Sequence, residues 1–204
     1  MARETITEQL SVALNTWVSK QPKLVVGIDG YSGAGKTTLL NAIARDNLQI
    51  LAVHMDDFIL PTELREKLIA EASDKAKVFE LQWSDYTAIR NLVDTFRSGE
   101  HKFTAKLPDG STKTYDLTKD ILALEGVFLF HPKLLDDIWD KRVYLDVDLH
   151  VADKQRVARE KAKWGDDYFP ESHPDSFYRL FKIAHKRYRE NYRPIEKADL
   201  VLKV

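Results

Sequence analysis

Eight consecutive residues, Gly30-Tyr31-Ser32-Gly33-Ala34-Gly35-Lys36-Thr37, limit what this chain can become more than any other stretch of it. They match G-x-x-x-x-G-K-[ST], the phosphate-binding loop. Leu24 to Ile28 before them reads as a short buried strand, and Thr38 to Ala44 after them reads as a helix. Glycines let such a loop curl until its N–H groups point inward at phosphate oxygens, and the helix N-terminus adds partial positive charge. The run from Gly30 to Thr38 is therefore expected to cradle phosphates. Lys36 would reach the outer ones, and the Thr37 hydroxyl would sit on Mg²⁺. A chance match in a chain of this length is on the order of one in a hundred. The alternative is an ordinary strand-to-helix turn with a solvated lysine, but such a turn has little use for Gly30, Gly33 and Gly35 together.

The rest of the chain supplies the frame this loop needs. Apolar runs at Ile50–Val53, Ile121–Leu124, Val143–Leu145 and Leu200–Leu202 read as buried strands separated by helical stretches. That alternation predicts an α/β fold with a parallel sheet flanked by helices. Ile6, Leu10, Ala13, Leu14 and Trp17 follow helical spacing, with Thr5 and Glu8 as a capping box. Ser84 is expected to start a helix burying Ile89, Leu92, Val93 and Phe96, which Gly99 ends. Residues 62–80 are mixed and fit helix or loop. Pro108-Asp109-Gly110-Ser111 between two strand-like runs predicts a hairpin. Leu134 to Trp139 reads as a short helix, and further helices are expected from Val151 to Lys163 and from about Asp175 to Asn191.

Composition narrows the class. A net charge of −1 offers no basic field for nucleic acid. There is no cysteine, so disulfides, cysteine-ligated zinc and a thiol nucleophile are excluded. No apolar run approaches a membrane span, and the polar start lacks a signal-peptide core. A cytoplasmic protein without membrane or nucleic-acid partners is expected; the oligomeric state is left open.

A phosphate loop serves kinases, GTPases and motor ATPases alike. No glycine here has an aspartate three residues before it, as a GTPase switch needs, and Glu196-Lys197-Ala198-Asp199 departs from the guanine reader N-K-x-D at its first position. Asp56 lies just past the second strand, where a parallel sheet opens its ligand crevice. A carboxylate there suits a base that takes a proton from an attacking hydroxyl, although a turn or cap aspartate is an equal alternative for Asp56 alone. Glu125 lies likewise past an apolar strand, suited to Mg²⁺ or its waters.

Asp56-Asp57-Phe58, Leu124-Glu125-Gly126-Val127-Phe128-Leu129-Phe130 and Ala198-Asp199-Leu200-Val201-Leu202, taken in order, resemble the uridine kinase-like branch of P-loop kinases. That branch includes uridine/cytidine kinases, nicotinamide riboside kinases, phosphoribulokinases and bacterial-type pantothenate kinases. Arg193-Pro194 is similar to its closing segment, and the resemblance spans roughly residues 22 to 204. It implies one P-loop NTPase-fold domain over residues 1–204. A helix within 1–21 would precede the core, with a β-hairpin insertion near 100–118 and a helical lid near 153–175.

By position the resemblance implies Asp56 as catalytic base, Glu125 near Mg²⁺ and Arg156 and Arg159 in a lid that closes on the transferred phosphoryl group. ATP and Mg²⁺ are the implied cofactors, and a small metabolite the implied acceptor. Ile59 stands where uridine kinases carry a tyrosine, so uridine itself is in doubt. Asp57, Phe58, His101, Phe103 and Arg156 are candidate acceptor contacts, with Tyr168, His173, Tyr178 and Arg187 as further ones. The expectation is an ATP-dependent kinase for a hydroxyl of a nucleoside-like metabolite. The alternatives are a nucleotide-driven regulator without transfer, or a kinase for a pantothenate-like or sugar-phosphate acceptor.

Overall fold

A computed structural model of the chain describes residues 3–173 and 176–204. In chain order it places α1 (Arg3–Val18), β1 (Leu24–Gly30), α2 (Lys36–Asp46), β2 (Ile50–His54), a 3₁₀ turn (Met55–Phe58), α3 (Thr62–Glu71), α4 (Lys75–Leu81) and α5 (Tyr86–Arg97). There follow β3 (Lys102–Lys106), β4 (Thr112–Asp116), β5 (Ile121–Glu125), β6 (Lys141–Asp146), α6 (Leu149–Trp164), α7 (Phe177–Tyr192), α8 (Pro194–Lys197) and β7 (Leu200–Lys203).

β1 and β5 are buried at every position, as the central strands of a sheet covered on both faces must be. The five-stranded sheet runs β2-β5-β1-β6-β7, and every pairing in it is parallel. From β1 the chain crosses to the far edge, returns through β5 beside β1, and then continues on β1's other side through β6. A crevice opens at that reversal, above the carboxyl end of β1. α2 packs on β1, β2 and β5, with α1 against α2. Ile6, Leu10 and Leu14 carry the apolar side of α1.

Several elements correct the sequence reading. α1 begins at Arg3, so Thr5 lies inside its first turn; the capping role expected of Thr5 lies outside the described side chains. Residues 62–80 form two helices, α3 and α4, broken at 72–74, and α4 buries Ala76, Val78 and Phe79. Asp85, not Ser84, caps α5: its carboxylate accepts the Ala88 N–H. Asp175 lies outside the described residues, and α7 is described from Phe177.

Leu134–Trp139 forms turns rather than a helix. Arginines bind carbonyls of these turns: Arg90 donates to Leu134 O (3.0 Å), which a helix would have used, Arg142 to Asp136 O (2.5 Å) and Arg97 to Ile138 O (2.8 Å). Charge-assisted bonds of this kind outweigh a single intrahelical bond. The hairpin of β3 and β4 forms a separate two-stranded sheet, as Asp-Gly predicts.

Candidate active site

The loop between β1 and α2 is held by its own lysine. Lys36 is buried, and its Nζ donates to Gly30 O and Tyr31 O at 2.9 Å each. Burial pushes its pKa down; the charges of Glu125, Asp29 and Asp56 work upward against it, and Arg159 adds to the lowering. Gly33 takes φ +87°, and a Cβ there would stand 2.5 Å from Ala152 O. Only a glycine lets α6 come down this close on the loop.

Glu125 is the last residue of β5 rather than one beyond it, and lies level with Ile28 on β1 and His54 on β2. Its Oε1 accepts from Thr37 Oγ1 at 2.8 Å and meets His54 Nδ1 at 3.0 Å. Burial works to raise the Glu125 pKa, but the bonds from His54 and Thr37 and the charge of Lys36 outweigh it, so the carboxyl is held below its ordinary value. The bond to Glu125 raises the His54 pKa against the effect of burial. Sequence reasoning passed over His54. The signal that marked Asp56, a polar side chain closing an apolar strand, applied to it as well.

Gly126 brings in the next group. A Cβ there would sit 2.6 Å from Met55 Sδ, so the turn after β2 packs directly on the end of β5. That contact sets Asp56 beside Glu125. The Asp56 carboxylate is open to solvent yet walled by protein. Desolvation and then the charge of Glu125 raise its pKa, while Lys36, Arg159 and His54 pull it down. Asp57 points elsewhere: its Oδ2 accepts from Lys113 Nζ (2.7 Å) and Tyr115 OH (2.8 Å), which anchors the hairpin. Phe58 is buried and stacks on Tyr115.

A cavity of about 490 Å³ gathers Ser32, Gly33, Gly35, Lys36, Thr37, Thr38, Asp56, Glu125, Arg156 and Arg159. Arg156 is buried and lies over the Tyr178 ring, its Cζ 2.9 Å from the ring centre. Arg159 is largely exposed and donates to Glu160. The cavity has an aromatic wall that sequence reasoning missed: Phe79 stacks on Trp83 at 3.9 Å, and Phe177 stands 6.0 and 6.2 Å from those rings.

Other candidates lie elsewhere. His101 is exposed and Phe103 packs against the core; neither lines the cavity, because the hairpin turns them to its own surface and base. Asp57 and Phe58 are likewise outside its lining. Gly30, Tyr31 and Ala34 belong to the loop without facing the cavity. Of the further acceptor candidates only Tyr178 lines it. Arg187 is paired with Asp74, and His173 stacks on Phe169.

Hard oxygen ligands suit Mg²⁺, which usually takes one or two protein oxygens and completes its shell with phosphates and water. Thr37 Oγ1 and Glu125 Oε1, 2.8 Å apart on the cavity floor, fit that pattern. Among the described residues no cluster of three or more His, Cys, Asp or Glu could cage a metal by itself. Nor is any described helix long and apolar enough to cross a membrane.

The family described as Phosphoribulokinase / Uridine kinase matches residues 25–188. Nicotinamide riboside kinase 2 of Homo sapiens is 33% identical over 138 residues, which cover 67% of this chain and 58% of that protein. Uridine kinase of Staphylococcus haemolyticus is 26% identical over 190 residues, covering 87% of this chain and 86% of the other. Among solved structures, a possible uridine kinase from Bacillus stearothermophilus superposes with a TM-score of 0.70 at 23% identity, covering 99% of this chain and 100% of that one.

Proposed function

The chain belongs to the Phosphoribulokinase / Uridine kinase family, and on that footing we propose that it moves the γ-phosphate of ATP to a hydroxyl of a small, nucleoside-like metabolite. The observation that carries this is the convergence of Lys36, Asp56 and Glu125, from three separate elements, on one cavity with an aromatic wall.

The proposed roles follow from position. The loop N–H groups and Lys36 hold the ATP phosphates. Thr37 and Glu125 hold Mg²⁺, which supplies charge neutralisation on the phosphates when bound. Asp56 orients the acceptor hydroxyl and takes its proton. Its raised pKa fits a base, since proton affinity grows with pKa. Arg156 and Arg159 bring guanidinium forks to the transferred group, where the lid keeps water out. Phe79, Trp83 and Phe177 offer flat faces, which suit the ring of a nucleoside better than a sugar phosphate. The named relatives are kinases for a riboside and for uridine, and the wall supports an acceptor of that class. In this reading the whole chain is one catalytic unit, with the hairpin an insertion and the lid near residues 153–175, of which 174 and 175 lie outside the described residues.

The test is ADP formation across a panel of nucleosides, with Asp56→Asn measured on the acceptor found. Asn keeps the size and hydrogen bonding but takes no proton. Transfer should fall roughly 10²–10⁴-fold while ATP affinity stays near the parent's. An Asp56→Asn protein that transfers at the parent rate ends the proposed mechanism and favours a nucleotide-driven regulator.

A further inference from the structure

Tyr31 stands second in the phosphate loop, yet its side chain faces away from the cavity and is buried. Its hydroxyl lies 2.7 Å from that of Tyr178 on α7. Tyr178 OH in turn donates to the Asp153 carboxylate on α6, which Lys182 Nζ also reaches at 3.3 Å. The edge of the Tyr31 ring meets His185, with centroids 4.4 Å apart. One hydrogen-bonded chain thus joins the loop, α7 and α6.

The same α6 turn touches the loop directly, where Ala152 O fills the space a Gly33 side chain would need. One turn beyond Asp153, Arg156 lies on the face of Tyr178. Arg156 is 5% exposed and lines the cavity, and its Nε has no hydrogen-bond partner among the described residues. A buried guanidinium donor without an acceptor is costly unless an anion arrives to take it.

We propose that Tyr31, Tyr178 and Asp153 strap α6 to the phosphate loop, and so act as positioning residues that hold Arg156 ready for the transferred phosphoryl group. The part played by Arg156 rests on the kinase reading above; the strap itself does not. The ring of Tyr178 supports the guanidinium, and its hydroxyl fixes where that ring stands. The strap is made by side chains, and in this proposal they act on the phosphoryl group by way of Arg156.

Two measurements separate the strap from the reading beneath it. Tyr178→Phe keeps the ring under Arg156 and removes the hydroxyl. Asp153→Asn keeps the side chain's size and serves if the first variant does not fold. Amide hydrogen exchange across residues 149–164 of the free protein should quicken about tenfold or more in Tyr178→Phe, because a charge-assisted bond no longer opposes local opening. Tyr31→Phe should quicken it less, and the double variant at least as much as Tyr178→Phe, since the Tyr31 hydroxyl interacts with Asp153 as well as with Tyr178. Parent-like exchange in the single variants overturns the strap, whatever the activity.

With the acceptor in hand, Tyr178→Phe should lower kcat about tenfold while ATP affinity by calorimetry stays within about twofold, as for an interaction made only in the transition state. An unchanged kcat, or ATP affinity falling in step with kcat, overturns the positioning of Arg156. If the parent protein transfers phosphate to no acceptor, the kinase reading fails, and the exchange result alone decides the strap.

Discussion

Glu125 Oε1 concentrates the site's electrostatics on one atom. It accepts the Thr37 hydroxyl and meets His54 while Lys36 and Asp56 stand close enough to shift each other's titration. In the proposed function this oxygen would take a cation or its waters. Glu125→Gln keeps the shape and an accepting oxygen but removes the charge. Activity should drop at low Mg²⁺ and recover partly as Mg²⁺ is raised, read from initial rates over a Mg²⁺ titration. Parent rates at low Mg²⁺ would make Glu125 structural. His54 should matter through Glu125, because its Nδ1 reaches that same oxygen.

At the scale of elements, the site depends on how closely the turn after β2 approaches the end of β5. Gly126 permits that approach, with Met55 Sδ and Cβ standing 2.6 and 2.7 Å from where its Cβ would be. Gly126→Ala must push the Met55–Phe58 turn outward and carry Asp56 with it. Overpacking of this kind costs about 1–3 kcal/mol. Chemical denaturation should show that loss, and transfer should fall by more than the folded fraction explains. A variant as stable and as active as the parent would mean that the turn yields freely. The hairpin is tied to the same turn through Asp57 and Tyr115, so the turn is braced from both sides.

Across the whole molecule, buried histidines make stability depend on pH. His185 lies among the rings of Tyr31, Phe128, Phe181 and Tyr188, and burial lowers its pKa to about 3. His131 is lowered to about 4, again by burial first. An unfolded histidine titrates near 6.5, so below that the unfolded chain takes up protons that the folded one refuses. Stability should therefore fall as pH drops from about 6.5 towards 4. Asp29 opposes this over part of the range: burial raises it to about 6, so its contribution is present at low pH and is lost as pH rises through 6. His185→Phe suits the aromatic surroundings and removes one such proton. Its denaturation free energy should fall less than the parent's between pH 7 and pH 5, and parallel slopes would show that His185 does not titrate as its burial implies.

The phosphate loop, the parallel sheet, the hairpin and the carboxylates of Asp56 and Glu125 were legible in the sequence because each is a local signal. A glycine spacing, an apolar run, an Asp-Gly turn or a polar residue closing a strand depends on near neighbours in the chain. The aromatic wall was not legible, because Phe79 and Trp83 meet Phe177 only after α4 packs on α7. The Tyr31–Tyr178–Asp153 chain was hidden for the same reason, its members lying on three elements. Leu134–Trp139 had a helix's composition but forms turns, whose carbonyls are bound by arginines from α5 and β6. The sequence by itself determined the phosphate-loop spacing between a strand and a helix, and near which strand ends the acids stand. Tertiary packing alone decided what faces those acids, since burial and long-range contact assign partners that no local pattern specifies.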